Sequence, residues 1–553
     1  MNNGPMLNAY PDSIGGHLSA LADFLEKPTV RQAFSSLYLL PSVFNTDLDR
    51  GFSVISYDLS RTLASPEAME RLRELGLELT LDIVLNHLSV LSPQFRDILR
   101  RGDASPYRNF FIDWNRFWQG CGPVEADGVL HPGPEHFLAA NLRKKGLPVL
   151  TVRLPDGRDV PYWNTFYQRV LYPAPNAIDL LDAAGGDYGL ACRLAERIGR
   201  ELAQGKAPRE MDWTGLEACR AAACALLENR RQYMGQMDVN IQSPLVWEWY
   251  DGVMGQLAGC GASAIRLDAF TRLHKAPGRP NFLNDPETWE LLARLREMAE
   301  AHGLEVLPEI HIPYAAGVHR RLAALGCRSY DYFLPGLLID AIDTADAAYL
   351  CRWAREQVEN RLHCVNMLGC HDGIPLRDLK GLLPEERREA LAERVCARGG
   401  YRKLIHGDHP ETYQLDCTYY TALGGREDAL LLARAVQLFM PGKPQVWYLD
   451  LLAGQNDPAA LTPGEDTREI NRTALTAEEA ARRLELPIVQ RQLRLLALRR
   501  EHPAFAEAAQ ITAVQPEGHL LRLIRECGGH IACLLADFKA LRFEITLDGE
   551  RWN

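Results

Sequence analysis

No stretch of the chain approaches the roughly 18 consecutive apolar residues of a membrane span, and the opening MNNGPMLNAYPDS has neither the basic start nor the apolar core of a secretion leader. A membrane protein and an exported one are thereby disfavoured, and a cytoplasmic setting is expected. No block of lysine and arginine occurs either: 61 basic against 72 acidic residues leave a formal charge of −11, which argues against nucleic acid as a partner. The 13 cysteines include no CxxC pair and no zinc-like Cys/His spacing, so reduced, mostly buried thiols are expected and a structural metal is not. A small, uncharged ligand is the partner class these absences leave.

What is present is ordinary globular composition, 47% hydrophobic and 24% charged, enough for a large core. Short apolar runs alternate with amphipathic stretches, the order that builds parallel strands joined by helices. Strands are predicted at Leu7–Tyr10, Ser36–Leu40, Leu79–Leu85, Ala262–Leu267, Glu305–Pro308, Ser329–Phe333, Cys364–Leu368 and Gln445–Tyr448. Eight strands of this kind predict an α/β fold, a (β/α)8 barrel. A helix is predicted after the fourth strand, with Asp285 as N-cap, Pro286 at its first position and Trp289, Leu292, Leu295 and Met298 on one face.

The connection between the third and fourth strands, roughly residues 88–261, far exceeds an ordinary βα loop of about 2–6 residues, so a subdomain is expected there. Within it, TVRLPDGRDVPY (151–162) reads as a hairpin turning at Asp156-Gly157, and residues 187–233 read as two helices. Gln510–Asn553 is strand-like, with Gly528-Gly529 as a turn, and predicts a small C-terminal β domain. The expected division is barrel at 1–87, inserted subdomain at 88–168, extra helical insertion at 169–237, barrel at 238–372, a mobile loop region at 373–423, barrel at 424–503 and the β domain at 504–553.

Asp268, Glu309 and Asp372 each stand at or just past the C-terminal end of a predicted strand, the face where barrels of this kind carry their active sites. Arg266 and Asp268 are two apart and share a strand face. A structural pair closing the barrel accounts for them equally well, yet an adjacent arginine also keeps a carboxylate anionic, as a nucleophile requires. Glu309 and His311 repeat the spacing after an apolar run. A buried hydrogen-bonded glutamate or a helix cap explains Glu309 too, whereas a general acid requires a raised pKa, which a partly apolar rim supplies. His371-Asp372-Gly373 and Asn86-His87 follow the seventh and third strands; either histidine alone is adequately explained as a core residue.

The segments AIRLDAF (264–270), EVLPEIH (305–311), LGCHDGI (368–374) and DIVLNHLS (82–89) resemble, in order, the four conserved regions of the α-amylase superfamily of glycoside hydrolases, glycoside hydrolase family 13. LNAYPDSIGG (7–16), DRGFSVISY (49–57), YQLDCTYYTALG (413–424), ARAVQLFMPGKPQVWYLDLLAGQND (433–457) and REINR (468–472) narrow the resemblance to sucrose phosphorylase and its close relatives, across nearly the whole chain. That resemblance implies retaining glucosyl transfer without metal or organic cofactor. Sucrose and inorganic phosphate would give α-glucose 1-phosphate and fructose, with Asp268 as nucleophile, Glu309 as acid/base and Asp372 as transition-state stabiliser. It implies Asp49, His87, Arg266, His311, His371 and Arg472 as contacts to the sugar, Phe52 and Phe166 flanking the ring, and Lys144, Tyr413 and Gln414 as the phosphate side. It also allows a homodimer. Phosphorylases of sucrose 6'-phosphate, glucosylglycerate or glucosylglycerol, and a hydrolase or transglucosidase with the same triad, remain alternatives. Two departures bear on the acceptor: the helical stretch between Phe166 and Gln236, and Arg272, a charged residue four past Asp268.

Overall fold

The computed structural model describes residues 2–137, 146–405, 411–461 and 466–552. Eight parallel strands form its centre: β1 (Met6–Ala9), β2 (Ser36–Leu39), β3 (Glu78–Val84), β4 (Ala262–Asp268), β5 (Glu305–Pro308), β6 (Ser329–Asp331), β7 (Cys364–Met367) and β8 (Lys443–Trp447). Their hydrogen-bonded order is β5-β4-β3-β2-β1-β8-β7-β6, the consecutive order of an eight-stranded barrel read from the β5/β6 seam. Every strand predicted from sequence is present, with ends shifted by no more than about two residues, the usual uncertainty of a boundary. Helices fill the connections, among them Leu18–Glu26, Pro66–Glu74, Pro244–Gly259 and Glu427–Phe439, as parallel pairing requires.

The helix after β4 runs over Glu287–Ala301 and buries Trp289, Leu292, Leu295 and Ala299. Each such large apolar side chain contributes about 1.5–3 kcal/mol. Its start corrects the sequence reading: Pro286, not Asp285, is the N-cap. The Asp285 carboxylate instead accepts from Arg321 at 2.6 and 3.1 Å, so it is not at the helix amides.

The chain divides into two compact units, one made of residues 1–86, 133–145 and 239–553, the other of 87–132 and 146–238. In the second unit the hairpin Val149–Arg153/Asp159–Trp163 turns through Gly157 (φ 88°), and His87–Ser89, Gln232–Asp238 and Gln168–Leu171 form a three-stranded sheet. The helices Tyr188–Ala203 and Glu217–Arg230 have a core of their own, in which Leu194 and Ile198 meet Ala223 and Leu227 with Trp213 from the connection. In the first unit a five-stranded antiparallel sheet over residues 510–551 makes the small C-terminal domain. No described helix is long and apolar enough to cross a membrane.

Candidate active site

The register of the barrel places the central charges. Arg266 on β4 stands opposite Asp82 on β3 and Leu307 on β5, so the side chains of Arg266 and Asp82 leave neighbouring strands at the same level. Arg266 Nη1 donates to Asp82 at 2.7 Å and to Asp268 at 3.0 Å, and its Nη2 meets Glu309 at 2.7 Å. One guanidinium, 3% exposed, therefore joins three carboxyl groups. Tyr38 adds a hydroxyl bond of 2.9 Å to Asp82. Beyond Asp268 the chain turns through Ala269 in the left-handed region (φ 53°), whose amide approaches Glu309 at 3.4 Å.

Asp372 follows β7 in a second charged knot. Arg468 Nη1 holds it at 2.6 Å, Arg472 approaches at 3.5 Å and His371 Nε2 at 3.2 Å. The second arm of Arg468 reaches Asp49 at 2.6 Å and Asp466 at 2.7 Å, while Arg472 Nε donates to the carbonyl of His371 at 2.8 Å. Phe52 stacks on the His371 ring with centroids 5.1 Å apart, and the Arg266 guanidinium lies 5.5 Å from the same phenyl. Gly373 (φ 93°) is required here, because a Cβ would lie 2.4 Å from the carbonyl oxygen of Leu415.

Leu415 belongs to the strand Glu411–Asp416, which pairs with Ile374–Pro375 on one side and Tyr401–Ile405 on the other. Tyr413 and Gln414 thus stand on a paired strand. The Gln414 amide donates to the Asp372 carbonyl at 2.7 Å and to Asp416 at 2.8 Å. Tyr413 presents its ring to His311 at 5.8 Å, and Tyr332 stacks on the same His311 ring at 3.8 Å. His311 lies 3.5 Å from Glu309 and 3.4 Å from Asp378.

Burial and neighbouring charge set the proton affinities. Burial raises Asp268 well above the ordinary carboxyl range, and the charge of Glu309 adds to it against the pull of Arg266. Burial would raise Glu309 too, but Arg266 and then His311 bring it down to about 2. Arg266 divides Nη1 between Asp82 and Asp268 but gives Nη2 to Glu309 at the shorter distance. Two carboxyls coupled this closely titrate as a pair. Asp372 lies well below its usual range, because His371, Arg468 and Arg472 overcome its burial. His371 falls to about 3 through burial. Burial would lower His311 as well, but Tyr413 and Asp378 raise it well above its usual value.

Asp49, Phe52, Arg266, Asp268, Glu309, His311, His371, Asp372, Tyr413, Gln414 and Arg472 all belong to the first unit. His87 and Phe166 belong to the second, where their rings face each other at 4.9 Å. Lys144 lies outside the described residues. Arg272 closes the short turn Phe270–Arg272 after Asp268, its guanidinium 5.2 Å from the Phe282 ring, and its carbonyl accepts from Lys275 at 2.7 Å. Arg468, Asp82, Asp378 and Tyr332 were not singled out from sequence. Arg468 has a signal, since REINR carries it one helical turn before Arg472, and so has Asp82, the first residue of DIVLNHLS; Asp378 has none, because His311 is remote in the chain. Glu309, His311 and Asp372 have ligand atoms close enough to hold a cation, as do Cys370, His371 and Asp372. Both sets include carboxylates already neutralised by Arg266, Arg468 or Arg472.

No family model matches the chain. It is 45% identical, over 98% of its length and 95% of the relative's, to the sucrose 6(F)-phosphate phosphorylase of Ilumatobacter coccineus. It is 29% identical, over 91% of its length and 88% of the relative's, to the glucosylglycerol phosphorylase of Marinobacter adhaerens. The crystal structure of sucrose 6F-phosphate phosphorylase from Thermoanaerobacter thermosaccharolyticum matches it with a TM-score of 0.81 at 28% identity, covering 100% of this chain and 97% of that one.

Proposed function

Because the chain belongs to the sucrose phosphorylase family within the α-amylase superfamily, we propose that it transfers a glucosyl group from a sucrose-type α-glucoside to inorganic phosphate with retention of configuration. The observation that carries this reading is the sharing of Arg266 between Asp268 and Glu309. Retention needs two carboxyls about 5–5.5 Å apart, one as nucleophile and one as acid, and two arms of one guanidinium favour such a spacing.

In this reading Asp268 attacks the anomeric carbon while Glu309 protonates the leaving oxygen, and a glucosyl ester forms on Asp268. Phosphate then attacks the anomeric carbon of that ester, the Asp268 carboxylate is displaced, Glu309 takes the phosphate proton, and α-glucose 1-phosphate leaves. The coupled pair needs only one proton between them, and bond cleavage requires it on Glu309. Asp372, kept anionic by Arg468 and Arg472, faces the positive charge that develops on the sugar. Asp49, Arg266, His311, His371 and Arg472 contact the sugar and Phe52 flanks its ring; the sugar contacts implied for His87 and Phe166 belong to the same reading. Tyr413, Gln414 and Lys144 serve phosphate.

For the leaving group we favour a fructosyl 6-phosphate over fructose. Two of the matches named above carry that substrate in their names, and the cations Arg272 and Lys275 follow Asp268. The 13 cysteines, all free, support a reducing compartment such as the cytoplasm; sedimentation velocity tests the expected homodimer. The deciding experiment incubates the protein with sucrose or sucrose 6F-phosphate, with and without phosphate, and measures glucose 1-phosphate against glucose. Faster glucose 1-phosphate release from the phosphorylated sugar supports the reading. Free glucose alone, at a rate indifferent to phosphate, overturns it in favour of a hydrolase.

A further inference from the structure

At the end of the barrel opposite the acids, two arginines are buried together with no carboxylate partner among the described residues. Arg499, on the helix Pro487–Glu501, and Arg525, on the C-terminal strand Leu520–Cys527, are each 2% exposed. Both guanidiniums pack on Phe505, at 5.1 and 5.3 Å from its ring centre. Arg525 Nη1 donates to the carbonyls of Phe439 and Met440 at 3.2 and 3.1 Å, and Arg499 Nη2 to those of Gly442 and Asn3 at 2.7 and 3.3 Å. All four acceptors are neutral. Nε and Nη1 of Arg499 and Nε of Arg525 are enclosed and have no acceptor among the described residues.

A buried charge that lacks a counter-charge and leaves donors unused is strongly unfavourable. The C-terminal end of the helix Glu427–Phe439 offsets part of one charge through its dipole, which leaves the other and the three unused donors. Burial lowers the proton affinity of both groups, and the charge of Arg525 lowers that of Arg499 further. An arginine nevertheless keeps its proton in proteins. The remaining way to neutralise the pair is to bind an anion.

We propose that Arg499 and Arg525 hold a small monovalent inorganic anion of the chloride class, which ties the C-terminal sheet to the barrel. Only N–H donors are on offer, so the ligand is a pure acceptor, and the enclosure of both side chains restricts it to the size of a halide. The site adjoins Gly442, just before the start of β8, whereas the acids lie past the other ends of the strands. Its contribution is to stability.

The test uses the full chain. Crystals soaked in potassium bromide are expected to give an anomalous peak within contact of both guanidiniums. Melting temperatures at matched ionic strength are expected to rise and level off with potassium chloride relative to potassium gluconate, whose anion is too large to enter. Arg525→Gln should lose the saturating part of that response with turnover unchanged. If the variant does not fold, the bromide map and the melts of the unaltered protein still decide. No peak at the pair with superimposable melts in the two salts overturns the proposal, as does a peak touching only one guanidinium.

Discussion

The barrel rim and the helical insertion at 169–237 treat charge in opposite ways. At the rim, Asp82, Arg266, Asp268, Arg468 and Arg472 are all nearly inaccessible, and the ion pairs run between strands or loops far apart in sequence. In the insertion the core is apolar, and pairs such as Arg197–Asp212 and Arg230–Asp179 stay partly in water at 3.3 and 2.8 Å. Exposed pairs of that kind contribute about 0–1 kcal/mol each. The two helices of the insertion thus share an apolar core of their own. The rim holds several desolvated charges, which well-packed hydrocarbon often replaces at no cost in stability, and that excess supports the proposed active site there.

The difference is tested most severely at the acids. Asp268→Asn or Glu309→Gln should lower turnover by at least roughly 1,000-fold, while the thermal melt stays near that of the unaltered protein. Turnover that survives Asp268→Asn would remove the nucleophile from the reading. Arg266→Met should come next, because it leaves three buried carboxyls facing one another; removing one partner of such a set costs about 3–5 kcal/mol. With the guanidinium gone, the carboxyl pKa values rise in the folded state, so the folded protein binds more protons than the unfolded chain. Stability should then be greatest below about pH 4, the unfolded value, and fall as pH climbs through the raised folded values. Melts between pH 4 and 8 would show this slope, and a flat profile would contradict it.

A smaller effect is expected at the phosphate side. Lys144→Ala should raise KM for phosphate about tenfold, the loss of one charged contact, and spare the slow hydrolysis that needs only the acids. The smallest effect on catalysis is expected in the insertion, which we propose to be a separable module. Trp213→Ala removes the largest side chain of its core, a change of about 3–5 kcal/mol for a buried tryptophan. Hydrogen exchange over residues 188–230 should accelerate while turnover is unchanged; a matching loss of turnover would erase the contrast between the two regions.

How far the sequence anticipates this arrangement depends on the range of the interaction. The eight strands and the two insertion helices follow from local periodicity, and the structure has them where the pattern has them. The helix start at residue 287 differs because Arg321, 36 residues away from Asp285, takes the side chain that a local rule assigns to the cap. The positions of Asp268, Glu309 and Asp372 past strand ends are legible in the same local way. Their partners are not: Asp82 lies 184 residues before Arg266, and Arg468 lies 96 after Asp372.

The sharing of Arg266 also bears on timing. A carboxylate that becomes an ester carries no charge, so a glucosyl group on Asp268 would release the Arg266 arm that served it. With that negative neighbour silenced and Arg266 still at 2.7 Å, Glu309 would hold a proton less tightly than before and would stand as the carboxylate that takes the proton of the incoming phosphate. The same side chain would thus change from donor to acceptor because its neighbour had reacted, and the order of the two half-reactions would be kept by charge alone, without a moving part.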